Sequence, residues 1–97
     1  MEMEIDGTII RFEDGTEIKI HSHAASRMRE RRICAEEVAE VFLSFQSKYP
    51  DADHPDRFSL IGTTVGNRVI RLVFKESNPL LLITVIDVRG QYNETTH

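Results

Sequence analysis

Residues 57–88 read RFSLIGTTVGNRVIRLVFKESNPLLLITVIDV. Three runs rich in β-branched and aliphatic residues, at 57–63, 68–75 and 80–88, are separated by the turn-forming segments Val65-Gly66-Asn67 and Ser77-Asn78-Pro79. Antiparallel strands can be joined by such short turns, whereas parallel strands need much longer crossovers. The stretch therefore predicts a three-stranded antiparallel meander.

Alternation along these runs assigns their residues to two faces of the sheet. In the middle run one face carries Val69, Arg71, Val73 and Lys75, and the other carries Ile70, Leu72 and Phe74. The last run is apolar at nearly every position until Asp87, which is typical of a central strand. Thr84 is the polar interruption within it, and we keep both a packing role and a chemical role open for its hydroxyl group.

A basic helix is predicted before the meander, in the run HAASRMRERRI at residues 23–33. His23, Arg27 and Arg31 recur at every fourth position, so a helix would place them along one face. Ser22 is the predicted N-cap, and we expect the helix to end near Arg31 or Arg32. Such a stripe suits either binding of an anion, above all phosphate, or a solvated outer face.

A second helix is predicted at residues 35–45. Cys34 stands in the cap position and Glu37 follows three residues later, as in a capping box, although a thiol accepts hydrogen bonds poorly. Four apolar side chains at helical spacing predict its core-facing side: Val38, Val41, Phe42 and Phe45.

The remaining segments complete an α+β fold. Asp14-Gly15 lies between β-rich runs at 8–12 and 17–20 and signals a hairpin, and the proline- and aspartate-rich segment 49–56 is predicted to be a loop. The predicted order is an N-terminal strand or hairpin, two helices and a three-stranded antiparallel meander, with both helices on one face. We expect one domain over residues 1–97 and a flexible tail over 90–97.

Composition narrows the class of protein. The 97 residues contain no apolar run near the roughly 20 that a transmembrane helix needs, and the acidic start does not resemble a secretory signal. A single cysteine fits a reducing cytoplasm. The positions of His21, His23 and His54 match no closed zinc spacing, so we predict neither a metal nor another cofactor.

Charge is distributed in blocks along the chain. The net charge is −4, yet two basic blocks, at residues 21–35 and 57–75, alternate with acidic ones, and the second block contains no acid. If the fold brings the basic blocks together, they form a focused positive patch on an acidic surface. Such a patch favours a small, local anionic target over non-specific coating of a duplex.

Several of these motifs together resemble a known family. The helix run 23–33 followed by Glu36-Glu37-Val38, the Gly66-Asn67-Arg68 turn and the closing Ile83-Thr84-Val85 are similar to the bacterial family called domain of unknown function 4258. The similarity covers roughly residues 21–88. Residues His23, Arg27, Arg31, Arg68 and Thr84 match that family's motif positions. Two features depart from the expected pattern. Cys34 replaces a common Ser or Thr, and the overall charge is acidic, whereas the RelE-type toxin ribonucleases, whose element order is similar, tend to be basic.

The second half also resembles the BrnT toxins, and the element order resembles the wider RelE/ParE group of toxin ribonucleases. This resemblance implies a compact RelE-like domain that cuts RNA without a metal. Such chemistry needs a base for the 2′-hydroxyl proton, cations for the phosphorane and an acid for the leaving oxygen. The proposed catalytic residues are His23 as base, with Arg27, Arg68 and Thr84. The proposed phosphate-binding residues are Arg31, Arg57, Arg71 and Lys75, and Tyr92 is a further candidate donor.

Two other classes of function stay open at this point. The same basic residues could form a non-catalytic module that binds a nucleic acid or an antitoxin-like protein partner, or the chain could be a structural homodimer. A catalytic histidine should open into a cleft with two or more arginines, whereas a binding face could leave His23 outside it.

The loss of folding stability on substitution should distinguish core residues from site residues. We expect Phe42→Ala to cost about 3 to 5 kcal/mol if Phe42 is buried. Arg68→Ala should cost little by comparison if Arg68 belongs to an exposed anion site.

Overall fold

The computed structural model describes residues 3–6 and 8–88, which form two helices and seven strands. The strands are β1 (Met3–Asp6), β2 (Ile9–Phe12), β3 (Glu17–Ile20), β4 (Ser47–Pro50), β5 (Arg57–Thr63), β6 (Val69–Lys75) and β7 (Leu80–Asp87), and the helices are α1 (Ser22–Arg31) and α2 (Ala35–Ser44).

All seven strands belong to one sheet, with the order β1-β2-β3-β7-β6-β5-β4. The predicted antiparallel meander of β5, β6 and β7 is confirmed, and β7 is central as expected. The predicted extent of the sheet was too small, because β7 also pairs in parallel with β3. This pairing joins the N-terminal strands to the meander, and the two helices form the crossover between β3 and the later strands.

Two edge strands were missed by the sequence-based prediction. β1 pairs with β2, and β4 pairs with β5 through Ser47↔Ile61 and Tyr49↔Ser59. The prediction of a loop at 49–56 is therefore wrong for its first two residues. β4 is only four residues long and ends in Pro50, and proline is tolerated there because an edge strand leaves some of its N–H groups unpaired. The predicted tail at 90–97 lies outside the described residues.

The core lies between the two helices and one face of the sheet. Ile70, Leu72 and Phe74 of β6 are fully buried, and they share one cluster with residues of both helices, among them Ala24 and Val38. Arg71 and Lys75, which alternate with them, are exposed. We call the helix-free face, which carries Arg71 and Lys75, the open face.

The cap of α1 differs from the prediction at its N-terminus. His21, not Ser22, is the N-cap, because its Nδ1 accepts a hydrogen bond from the backbone N–H of His23 at 3.0 Å. The C-terminal prediction is confirmed, since α1 ends at Arg31 and Arg32 takes a left-handed conformation with φ 54°. That conformation lets Ile33 N–H reach the carbonyl oxygen of Met28 at 2.9 Å and close the helix end.

The α2 predictions hold in part. Cys34 is the N-cap, and the Glu37 carboxylate accepts from its backbone N–H at 3.1 Å. Val38 and Val41 are buried, and Phe42 is partly buried with its ring stacked on Phe12 at 5.3 Å. Phe45 was wrongly assigned to the core: α2 ends at Ser44, so Phe45 leaves the helical stripe and is exposed.

Both helices are ten residues long, about half the length that a bilayer-spanning helix needs, and no helix among the described residues qualifies as a span.

Candidate nucleic-acid interface

A row of cations crosses the open face perpendicular to the strands. The backbone register aligns Lys19 of β3 with Leu81 of β7, Leu81 with Lys75 of β6, and Lys75 with Arg57 of β5. Directly paired residues share a face, and neighbouring strands lie about 4.8 Å apart. Lys19, Lys75 and Arg57, which we call the cation row, therefore span about 14 Å of backbone across four strands.

Arg71 extends this positive surface along the strands. Its backbone partner is Ile61, four residues from Arg57, or about 13 Å along β5. The Arg71 side chain reaches back towards the cation row, because its Nε donates a hydrogen bond to Ser59 Oγ at 3.2 Å. Thr84 lies opposite Val73 on the same face, and its side chain is half-buried.

The charge of this surface is uncompensated within the described part of the chain. No salt bridge there joins Lys19, Lys75, Arg57 or Arg71 to a carboxylate. Arg11, at the far side of the same face, differs, because its Nε lies 2.6 Å from Glu17 Oε2. The positive potential of the open face is therefore concentrated over β3, β7, β6 and β5.

The Arg57 side chain is partly buried on this face. Its Nε is buried and has no hydrogen-bond partner among residues 3–6 and 8–88. Such unsatisfied buried donors are rare, because each costs about 1 to 3 kcal/mol of desolvation.

An aromatic side chain and a cleft lie beside these cations. Tyr49 of β4 pairs with Ser59, the residue that receives the Arg71 hydrogen bond, and its side chain is exposed. Tyr49 also lines a cleft of about 540 Å³, together with Gln46, Ser47, Ile61, Thr63, Val69 and Val88. Exposed tyrosine rings provide stacking surfaces for unpaired bases, and arginines provide contacts to phosphate.

The histidine-arginine stripe of α1 lies on the other side of the sheet. Ala24 and Met28 seat α1 on the core, so His23 and Arg31 are exposed on the helix side and not on the open face. Arg27 is half-buried, and its Nη1 lies 2.9 Å from Glu30 Oε2. The fold therefore separates the helical cations of the first basic block from the sheet cations of the second.

Arg68 lies between the helices and the sheet and binds groups in both layers. We call this residue with its contacts the Arg68 clamp. Its Nη1 donates to the carbonyl oxygen of Arg32 and its Nη2 to that of Arg31, each at 2.7 Å. The same guanidinium lies 3.4 Å from carboxylate oxygens of Glu37 and Asp87. These contacts tie the end of α1 and the start of α2 to β6 and β7. The Arg68 side chain is only 20% exposed, which does not fit the exposed anion contact expected from the sequence.

Arg68 and His23 lie near opposite ends of α1. Arg68 binds the C-terminal end of α1, whereas His23 lies in its first turn, so about 12 Å of helix separates His23 from Arg31. His23 and Arg68 are therefore not placed to contact the same phosphate group. His23 does not line the open-face cleft.

Two other kinds of site, a metal site and a reactive thiol, are not formed among the described residues. No group of three His, Cys, Asp or Glu side chains there is placed to hold a metal ion. Burial is the main cause that raises the pKa of Cys34, and the nearby carboxylates of Glu37 and Glu36 act in the same direction. The Cys34 thiol is therefore protonated at neutral pH.

Three residues of this surface were missed by the sequence reasoning. Lys19 could have been found, because it alternates with the buried Ile18 and Ile20 in a predicted strand. The alignment of Lys19 with Lys75 could not have been found from the sequence, because it depends on the parallel pairing of β3 with β7. Tyr49 and Ser59 join the surface through the β4–β5 pairing, which the predicted loop at 49–56 obscured.

Comparison with known proteins identifies a family but no characterised relative. The family model described as "Domain of unknown function (DUF4258)" matches residues 20–87, which include α1, the Arg68 clamp and most of the sheet. No curated protein and no solved structure matches the chain.

Proposed function

Because this chain belongs to the DUF4258 family, which is defined without a function, we propose its function from its geometry: it binds single-stranded RNA on the open face of its sheet. The observation that carries this proposal is the cation row, in which Lys19, Lys75 and Arg57 align across four strands without carboxylate partners in the described ranges.

The chemistry of this face favours a single strand over a duplex. Single-stranded RNA presents phosphates to cations and unstacked bases to aromatic rings, and the open face offers both kinds of partner. Tyr49 can stack a base, while Arg71 and the cation row contact the backbone. An overall charge of −4 repels RNA from the rest of the surface, which directs a polyanion to this patch.

The salt dependence of binding tests this proposal on the unmodified protein. A fluorescent oligouridylate should bind with an affinity that falls as salt rises. Four phosphate contacts, from Arg71 and the cation row, predict a slope of about −3 in a plot of log K against log salt, at roughly 0.7 per contact for a single strand. Fluorescence anisotropy at 50 to 300 mM salt measures that slope. An affinity that does not change with salt would contradict the phosphate-contact model.

A second candidate function is metal-independent cleavage of the bound RNA. It rests on the resemblance to BrnT and RelE-type toxins, and it is favoured by the position of Thr84, whose hydroxyl group shares the open face with Arg71. Arg71 and the cation row would stabilise charge on the phosphorane, Thr84 would donate a hydrogen bond to it, and water would take the 2′-hydroxyl proton and protonate the leaving 5′-oxygen. Tyr92, the other candidate donor, lies outside the described residues.

The position of His23 gives this second candidate a clear test. If cleavage takes place on the open face, His23→Ala should cut RNA as fast as the unmodified protein in EDTA, whereas Arg71→Gln should cut more slowly. A gel assay of labelled RNA measures both rates. A loss of about 100- to 10,000-fold in His23→Ala would identify His23 as the general base and move the reaction to the helix side.

A further inference from the structure

A pocket separate from the open face lies beside α1. It has a volume of about 450 Å³ and is lined by Thr8, Ile20, Ala25, Met28, Arg29, Arg32, Ile33, Cys34 and Ala35. Ile20, Met28 and Ile33 are buried core residues, so they form an apolar floor. The volume is at the lower end of the range of about 300 to 1,000 Å³ that is typical of small-ligand pockets.

Two arginines border this apolar floor. Arg29 and Arg32 are both exposed, and neither forms a salt bridge with a carboxylate within residues 3–6 and 8–88. Arg29 has only the Ser26 hydroxyl as a described side-chain partner, at 3.3 Å. Arg27, two residues before Arg29 on the same helix, is paired with Glu30. The pocket thus combines an apolar interior with uncompensated positive charge on its border.

We propose that this pocket binds a medium-chain aliphatic carboxylate, with the chain against Ile20, Met28 and Ile33 and the carboxylate on Arg29 and Arg32. A guanidinium group binds a carboxylate through two parallel hydrogen bonds, and this geometry distinguishes a carboxylate from a neutral head group. The alkyl chain gains from leaving water, and each methylene group strengthens binding about fourfold. This binding is independent of the RNA proposal, because the pocket and the open face lie on opposite sides of the sheet.

Titration calorimetry with octanoate tests the proposal, and octanol and octylamine serve as neutral and cationic probes of the same chain length. Octanoate should bind at least tenfold more tightly than either probe, and hexanoate about 15-fold more weakly than octanoate. Arg29→Gln and Arg32→Gln should each weaken octanoate binding about tenfold. Arg27→Gln is the matched control and should leave the affinity unchanged. Ala25→Leu, which fills the pocket, should abolish binding while the protein keeps its circular dichroism spectrum.

Alkylation of Cys34 by iodoacetamide gives a second readout, because its side chain lines the pocket. Saturating octanoate should slow alkylation at alkaline pH, and it should fail to do so in the Arg29→Gln/Arg32→Gln double variant. Equal affinity for octanoate, octanol and octylamine would overturn the proposal, as would unprotected alkylation. Binding of an acidic, leucine-containing peptide in the absence of octanoate binding would also overturn it, in favour of a protein partner.

Discussion

Replacing Arg68 with alanine should lower the free energy of unfolding by about 3 kcal/mol. The substitution removes a guanidinium that binds the carbonyl oxygens of Arg31 and Arg32 and lies beside the carboxylates of Glu37 and Asp87. The Glu37 carboxylate is largely shielded from water, and leaving such a group without its counter-charge costs about 3 to 5 kcal/mol when burial is complete. We take the lower end of that range because Arg68 remains 20% exposed.

The clamp also contacts Arg32, which has a left-handed conformation. A non-glycine residue in that region is strained by about 1 to 2 kcal/mol, and the Arg68 bond to the carbonyl oxygen of Arg32 helps to hold it there. Arg68→Lys should restore only part of the lost stability, since an ammonium group lacks the planar fork that reaches both carbonyl oxygens.

Urea denaturation of Arg68→Ala and Arg71→Ala measures the difference. Arg71 lies on the open face, is exposed and donates a hydrogen bond to Ser59, so its replacement should change the free energy of unfolding by about 1 kcal/mol or less. A similarly small loss for both variants would show that the clamp does not stabilise the fold and that Arg68 is available for another role.

The local pattern of the chain predicted the meander well. Alternation along 68–75 identified the faces of β6, and the turn signals placed the strand ends within one residue of those observed. These features depend on contacts between neighbouring segments, and short-range sequence patterns record such contacts directly. For the same reason, Cys34 and Glu37 were correctly recognised as the start of α2.

Features that depend on distant pairing were not predictable in this way. The alternation cannot show that β3 pairs with β7, so the alignment of Lys19 with Lys75 stayed hidden. Arg68 follows a turn signal and looks like a surface cation, yet the chain folds so that the end of α1 presents two carbonyl oxygens to it. Arg68, which matches a motif position of the family, thus makes structural contacts in the fold.

Neutralising the cation row should have the largest effect on RNA binding. We expect the variant Lys19→Gln/Arg57→Gln/Lys75→Gln to bind an oligouridylate roughly 100-fold more weakly at low salt. Three lost phosphate contacts of about 1 kcal/mol each amount to about 3 kcal/mol, and each 1.4 kcal/mol corresponds to tenfold. The slope of log K against log salt should fall to about −0.7, because only the phosphate contact of Arg71 remains.

The helix-side cations provide a control with the same change in charge. The variant Arg27→Gln/Arg29→Gln/Arg31→Gln also removes three positive charges, but from α1 on the opposite side of the sheet. If only the total charge matters, both variants should lose the same RNA affinity. If RNA binds on the open face, only the cation-row variant should lose affinity.

Fluorescence anisotropy of the two triple variants, side by side at 50 mM salt and with matched circular dichroism spectra, tests the central claim most directly. Binding of RNA on the open face predicts a loss of roughly 100-fold for the cation-row variant and a change of less than about threefold for the helix variant. Equal losses, or a larger loss for the helix variant, would contradict the assignment of RNA binding to this face.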